Sequence, residues 1–162
     1  MPIEHAVAGF ELKYPADVFS ARAGGADADD RLFVSQDQRA LLRVYARRTR
    51  APTSPVKYRA ALLAGRYAGA SLDYAPQREQ WFVLSGTLGG EMFYERVSFS
   101  CDRRAFHAWL LTYPVAERVF YDAIVEDMHR SYRTGKADGW RCGAAQDGGR
   151  KGDLEASFGP RF

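Results

Sequence analysis

Between Ala68 and Thr112 four apolar-rich runs follow one another with connections too short to hold a helix, and this limits what the chain can build. The runs are Ala68 to Tyr74, Gln80 to Ser85, Glu91 to Phe99 and Ala105 to Thr112. Their connections are Ala75-Pro76-Gln77-Arg78, a glycine-rich turn through Gly90, and a polar turn at Asp102 and Arg103. Parallel neighbours need a crossover of roughly a dozen residues or more, so these strands form an antiparallel meander. In the last two runs apolar side chains stand at both parities: Phe93 and Val97 against Met92 and Tyr94, then Phe106 and Leu110 against Trp109 and Leu111. A strand that is apolar on both sides needs cover on both sides.

Two helices are available to supply it. Ser54 caps a short helix with Pro55 at its first position and Val56, Ala60 and Leu63 as apolar members, ended by Gly65. Pro114 opens a longer one running to about Tyr132, with an expected apolar stripe of Ala116, Val119, Phe120, Ala123, Ile124 and Met128. Upstream, Phe10, Leu12 and Tyr14 alternate with Glu11 and Lys13 before Pro15. Arg31 to Ser35 and Ala40 to Arg47 flank Gln36-Asp37-Gln38-Arg39 as a hairpin, and Arg22 to Asp30 reads as an exposed loop. The fold class is therefore α+β, a single antiparallel sheet of about six or seven strands with a helix on each face.

Residues 1–133 are expected to form this one domain. Residues 134–162 hold seven of the chain's 15 glycines, with Trp140, Leu154, Phe158 and Phe162 isolated among polar neighbours. A segment of that composition buries too little area to offset its ordering entropy, so it reads as a mobile tail unless a disulfide ties it back. Cys101 and Cys142 are the only cysteines. They can form one disulfide in an exported protein or stay free thiols in a cytosolic one. With one in a turn and the other just beyond the last helix, the expectation is that they are joined.

Several pieces together resemble a known group of domains: Phe10 to Pro15, Leu32 to Ser35, Trp81-Phe82-Val83-Leu84-Ser85-Gly86, Phe93-Tyr94, Leu111 to Pro114, and Tyr121 to Arg133. Their order is similar to the PsbP/Mog1-like α+β domains, over most of residues 9–133, and to small exported bacterial proteins that share this plan. Members of the group include a photosystem extrinsic subunit and a regulator of a small GTPase. The resemblance implies an accessory or regulatory role without catalysis. It implies no catalytic residue, cofactor or metal ligand. A periplasmic or otherwise exported location is expected, with a signal absent from this sequence and a cytoplasmic location as the alternative.

The residues themselves carry few sites. Lys and Arg total 23 against 20 Asp and Glu, a net charge of +3 scattered along the chain, which permits an acidic partner without demanding one. No stretch approaches the roughly 20 apolar residues of a membrane span. Arg43, Arg47, Arg48 and Arg50, with Tyr45 among them, are the densest basic cluster. Alternation puts Arg43, Tyr45 and Arg47 on one face as an anion-contacting platform, against the plainer reading of a solvated strand edge. A protein partner ranks above nucleic acid there, and a small anionic ligand is the alternative. Tyr74, Trp81 and Tyr94 form a candidate aromatic patch, able to line a recess or to fill the core. Gly86-Thr87-Leu88-Gly89-Gly90 reads as a hairpin turn rather than a phosphate loop, since a strand follows in place of Lys-Ser/Thr and a helix. For a hydrolase or a metal site the only pairing on offer is His107 with Glu95 across adjacent strands, short of a triad or a closed zinc shell.

Overall fold

The computed structural model describes residues 2–5, 9–22, 29–134 and 138–142. Ten strands alternate with two helices: β1 (Pro2–His5), β2 (Phe10–Lys13), β3 (Phe19–Ala21), β4 (Asp30–Ser35), β5 (Leu41–Arg48), α1 (Pro55–Ala64), β6 (Ser71–Tyr74), β7 (Trp81–Leu88), β8 (Glu91–Phe99), β9 (Ala105–Pro114), α2 (Arg118–Ser131) and β10 (Arg133–Thr134). The meander of β6 to β9 supplies one half of a seven-stranded antiparallel sheet in the order β3-β4-β5-β9-β8-β7-β6.

The large sheet has the expected size but a different membership. β2 leaves it and pairs with β1 and β10 in a separate three-stranded sheet, while Phe19–Ala21 takes the edge position beside β4. Three residues show too little alternation to announce a strand. β6 starts at Ser71, later than the run from Ala68, because backbone turns from Tyr67 to Ala70 follow α1 first.

Two hydrophobic clusters form from alternating positions of the same strands. One gathers Leu42, Val44, Val83, Met92, Tyr94, Trp109 and Leu111 with Phe10 and Leu12 of β2 and Tyr121, Val125 and Met128 of α2. The other gathers Tyr45, Phe82, Leu84, Phe93, Val97, Phe99, Phe106 and Leu110 with Leu62 of α1.

Helix α1 begins as its sequence indicates, the Ser54 side chain accepting from the Lys57 amide with Pro55 next in line. Helix α2 follows a short 3-10 turn, Val115–Glu117, and its buried face differs from the expected stripe. Tyr121, Val125, Met128 and His129 are inside, whereas Val119 is 80% and Phe120 55% exposed. The spacing is helical in both cases and Met128 belongs to both, but the inward face is turned toward Val125 and two amphipathic rings, Tyr121 and His129, which bury their bodies and keep polar atoms for partners. An aliphatic count passes over them.

Gly89 and Gly90, both at positive φ (58° and 80°), make the two-residue turn between Leu88 and Glu91, the backbone shape a tight hairpin requires. Gly86 lies within β7 and serves closeness instead: a Cβ there would stand 2.0 Å from the Ser71 carbonyl oxygen.

Cys101 and Cys142 are joined, with Cα atoms 5.4 Å apart, and the Cys101 amide donates to the Gly139 carbonyl. Trp140 is buried, its ring centroid 4.6 Å from that of His107. Residues 138–142 thus lie against the β8–β9 turn, and β10 straddles the expected domain boundary at 133. The tail beyond Cys142, and residues 23–28 of the expected loop, lie outside the described residues.

Two outcomes follow. Gly86→Ala is expected to push β6 off β7 and destabilise the protein by about 1–3 kcal/mol in urea unfolding, with faster amide exchange in β6; unchanged exchange there would contradict the close approach. Thiol titration of denatured, unreduced protein is expected to find no free thiol. Reduction of a loop closed over a separation of 41 residues should lower stability by roughly 4 kcal/mol in the chain-entropy account.

Candidate functional site

Asp30 on β4 pairs with Tyr45 on β5, and since same-face neighbours on a strand are two residues apart, Arg43 and Arg47 flank Tyr45 above it. Arg43 grips Asp30 through two hydrogen bonds, Nε to Oδ1 at 2.9 Å and Nη2 to Oδ2 at 2.7 Å. Arg47 adds a third at 3.1 Å. Arg43's hydrogen bond is the main cause that holds the Asp30 carboxyl at about 2, below its ordinary 3.8; burial opposes it and Arg47 assists.

Both guanidiniums also lie over the Tyr45 ring, at 4.8 Å and 5.3 Å from its centroid, and Arg66, just beyond α1, joins them at 5.7 Å. Beneath this layer Glu95 of β8 is fully buried. It sits one strand beyond Leu110, the residue paired with both it and Arg43. Its carboxylate accepts from Tyr45 at 2.5 Å, Tyr67 at 2.6 Å and Arg66 at 2.7 Å. Tyr58 of α1 extends the chain through the Tyr45 hydroxyl at 3.0 Å. Burial, and next the Glu95 charge, push the Tyr45 and Tyr67 hydroxyls far up from the usual tyrosine range, so both remain donors. The site is a carboxylate anchored by three donors, carrying an ordered layer of three arginines whose side chains are 31%, 44% and 33% exposed.

The expected basic cluster divides. Arg43, Tyr45 and Arg47 come together, Tyr45 as a buried platform at 2% exposure rather than a stacking surface. Arg48 alternates to the other side of β5, and at the end of the strand both Arg47 and Arg48 border a shallow recess with Ala105, Phe106 and Trp140. Arg50 is exposed on the bend that follows. Of the aromatic patch, Tyr94 is fully buried against Trp109 and His129, while Tyr74 and Trp81 are partly buried at its margin.

His107 and Glu95 do not converge. His107 pairs with Ser98 and Glu95 with Leu110, an odd offset of three residues along β8, which sends them to opposite faces. His107 is stacked on Phe10 and hydrogen-bonded to Tyr132, which donates to Ser98 at 2.9 Å. Among the described residues no group of three or more His, Cys, Asp or Glu side chains is placed to hold a metal ion, and no helix is long and apolar enough to cross a membrane. Asp30, Tyr58, Arg66, Tyr67 and the anchoring role of Glu95 were missing from the sequence reading. The available signal was Glu95 itself, the only acid between Met92 and Phe99 in a strand apolar on both sides.

No family model matches the chain, and no curated protein does. Solved structures do match. Cyanobacterial PsbP (CyanoP) from Synechocystis superposes with a TM-score of 0.56 at 15% identity, covering 83% of this chain and 91% of that one. The Ran-binding protein Mog1p of Saccharomyces cerevisiae gives 0.54 at 10% identity, covering 83% and 94%. A further Mog1 structure gives 0.54 at 9% identity, covering 87% and 98%. The chain has the PsbP/Mog1-like fold.

Tyr67→Phe removes one of three donors from a buried carboxylate and is expected to cost about 1–3 kcal/mol in urea unfolding. Asp30 supports the fold above its unfolded value of 3.8 and loses that contribution as pH falls toward its folded value of about 2. Asp30→Asn should therefore flatten the acid limb of the stability curve between those values; an unchanged limb would mean that the two arginines do not hold it.

Proposed function

We propose that the protein is a non-catalytic accessory or binding protein that contacts another protein through the Arg43–Arg47–Arg66 layer, in an exported compartment. The observation that carries this reading is the ordering of three partly exposed guanidiniums over one buried tyrosine ring. Long cationic side chains ordinarily lose rotamer freedom when they bind, and prior ordering lowers that cost. Guanidinium forks suit acidic side chains presented by a partner. The fold of a Ran-binding protein is a precedent for protein contact on this scaffold, and it lends the reading its class but no partner.

The reading takes α1 and α2 to lie on opposite faces of the large sheet, supported by the two separate clusters that claim them, so that the arginine layer belongs to the α1 side. The exported location is supported by the Cys101–Cys142 pairing, since disulfides persist in oxidising compartments.

The test is capture from a cell-envelope extract on immobilised protein, with Arg43→Glu/Arg47→Glu and Arg48→Ala variants in parallel. Capture of the same protein by the parent and by Arg48→Ala, lost at least tenfold in the charge-reversed variant and falling with added salt, is the expected result. Equal capture by the charge-reversed variant, shown folded by circular dichroism, removes the arginine layer as the contact surface.

A further inference from the structure

Successive residues of a strand point to opposite faces, so β8 delivers Glu95 to one side of the sheet and Arg96 to the other. The two charges meet different fates. Arg96 is only 7% exposed, and its guanidinium lies over two rings, 4.2 Å from the centroid of Trp81 and 4.8 Å from that of Tyr132. Trp81 reaches it from β7, where it stands opposite Ser98, two residues along β8 on the same face.

The rings meet the charge of the cation but take no conventional hydrogen bond from its N–H groups. Among the described residues no carboxylate forms an ion pair with Arg96, and none of its guanidinium nitrogens donates a hydrogen bond. Nε is sealed from solvent without an acceptor, and the indole Nε1 of Trp109, the cross-strand partner of Arg96, is sealed in the same condition. The two terminal nitrogens are not among the sealed atoms, so the open part of the side chain is its fork. Arg78 adds a second guanidinium at 5.9 Å from the Trp81 ring. Buried charges are ordinarily paired, and cation–π contacts offset only part of the lost hydration.

We propose that Arg96, beside Trp81 and Tyr132, is a carboxylate-binding site, independent of the arginine layer on the other face. A carboxylate is planar and meets a guanidinium edge-on through two parallel hydrogen bonds. At 7% exposure the site favours a singly charged carboxylate over a phosphate, whose higher charge costs more to bring out of water. The carboxylate can belong to a small organic acid or to an acidic side chain of a polypeptide, with the same chemistry at Arg96.

The experiment follows tryptophan fluorescence and thermal unfolding of the full, oxidised chain. Sodium acetate, a blocked Gly-Glu-Gly peptide, inorganic phosphate and sodium chloride are titrated at matched ionic strength. A saturable fluorescence change and a raised unfolding midpoint are expected with acetate and peptide, and neither with chloride. Phosphate should bind at least fivefold more weakly than acetate. Arg96→Lys keeps the charge and stem but lacks the fork, and should weaken acetate at least tenfold; Arg96→Met should abolish saturation. A peptide tenfold tighter than acetate assigns the carboxylate to a polypeptide, and equal affinity assigns it to free acids. Either result supports the site. A wild-type response to acetate no larger than to chloride overturns the proposal, as does an undiminished response in Arg96→Lys, and the wild-type comparison decides even if Arg96→Met fails to fold.

Discussion

A strand buried on both sides has nowhere to hide a polar group, and β8 carries that constraint to its limit. Phe93, Tyr94, Glu95, Arg96, Val97 and Ser98 are all buried, so each polar member must find its partners on the face it enters. The pleat decides which face that is, residue by residue. Glu95 and Arg96 are opposite charges joined by one peptide bond, yet they cannot neutralise each other, because the sheet stands between them. Much of the polar architecture described above follows from solving those two burials separately.

On the Glu95 side the solution is a set of three donors drawn from two parts of the chain: Tyr45 from β5, Tyr67 and Arg66 from the turns after α1. An unpaired charge in this position would be strongly unfavourable, and three hydrogen bonds satisfy most of what a carboxylate can accept. The network also binds the α1 segment to the sheet, since Tyr67 stacks on Phe93 at 4.2 Å while its hydroxyl reaches Glu95. The arginines above inherit their order from it. Asp30 then fixes Arg43 and Arg47 from the outer side, which leaves a layer held from both below and beside.

The antiparallel meander and both helices were legible because their signals are local: alternation, a Ser-Pro cap and short turns. β1 and β10 were not, since neither carries an alternation like that of Phe10 and Leu12 and each gains its identity from β2, the neighbour it pairs with. The buried face of α2 was misjudged for a related reason. Tyr121 and His129 count as polar in a sequence and become core once a partner lies within reach, whereas Val119 and Phe120 stay outside. For the site, alternation within β5 was enough to align Arg43, Tyr45 and Arg47. The pairing of that row with Glu95 depended on register across β9, which no single strand encodes. The same missing register made His107 and Glu95 look like neighbours.

The bond between Cys101 and Cys142 gives the fold a covalent ring. Within it lie β9, α2, β10 and the short segment carrying Trp140. A tension applied to the chain beyond Cys142 would pass through sulfur directly into the turn between β8 and β9, at the centre of the sheet, and α2 would carry none of it. A proteolytic cut anywhere inside the ring would leave the two pieces tethered. The helix that closes one interior is thereby insulated from a pull on the chain beyond Cys142.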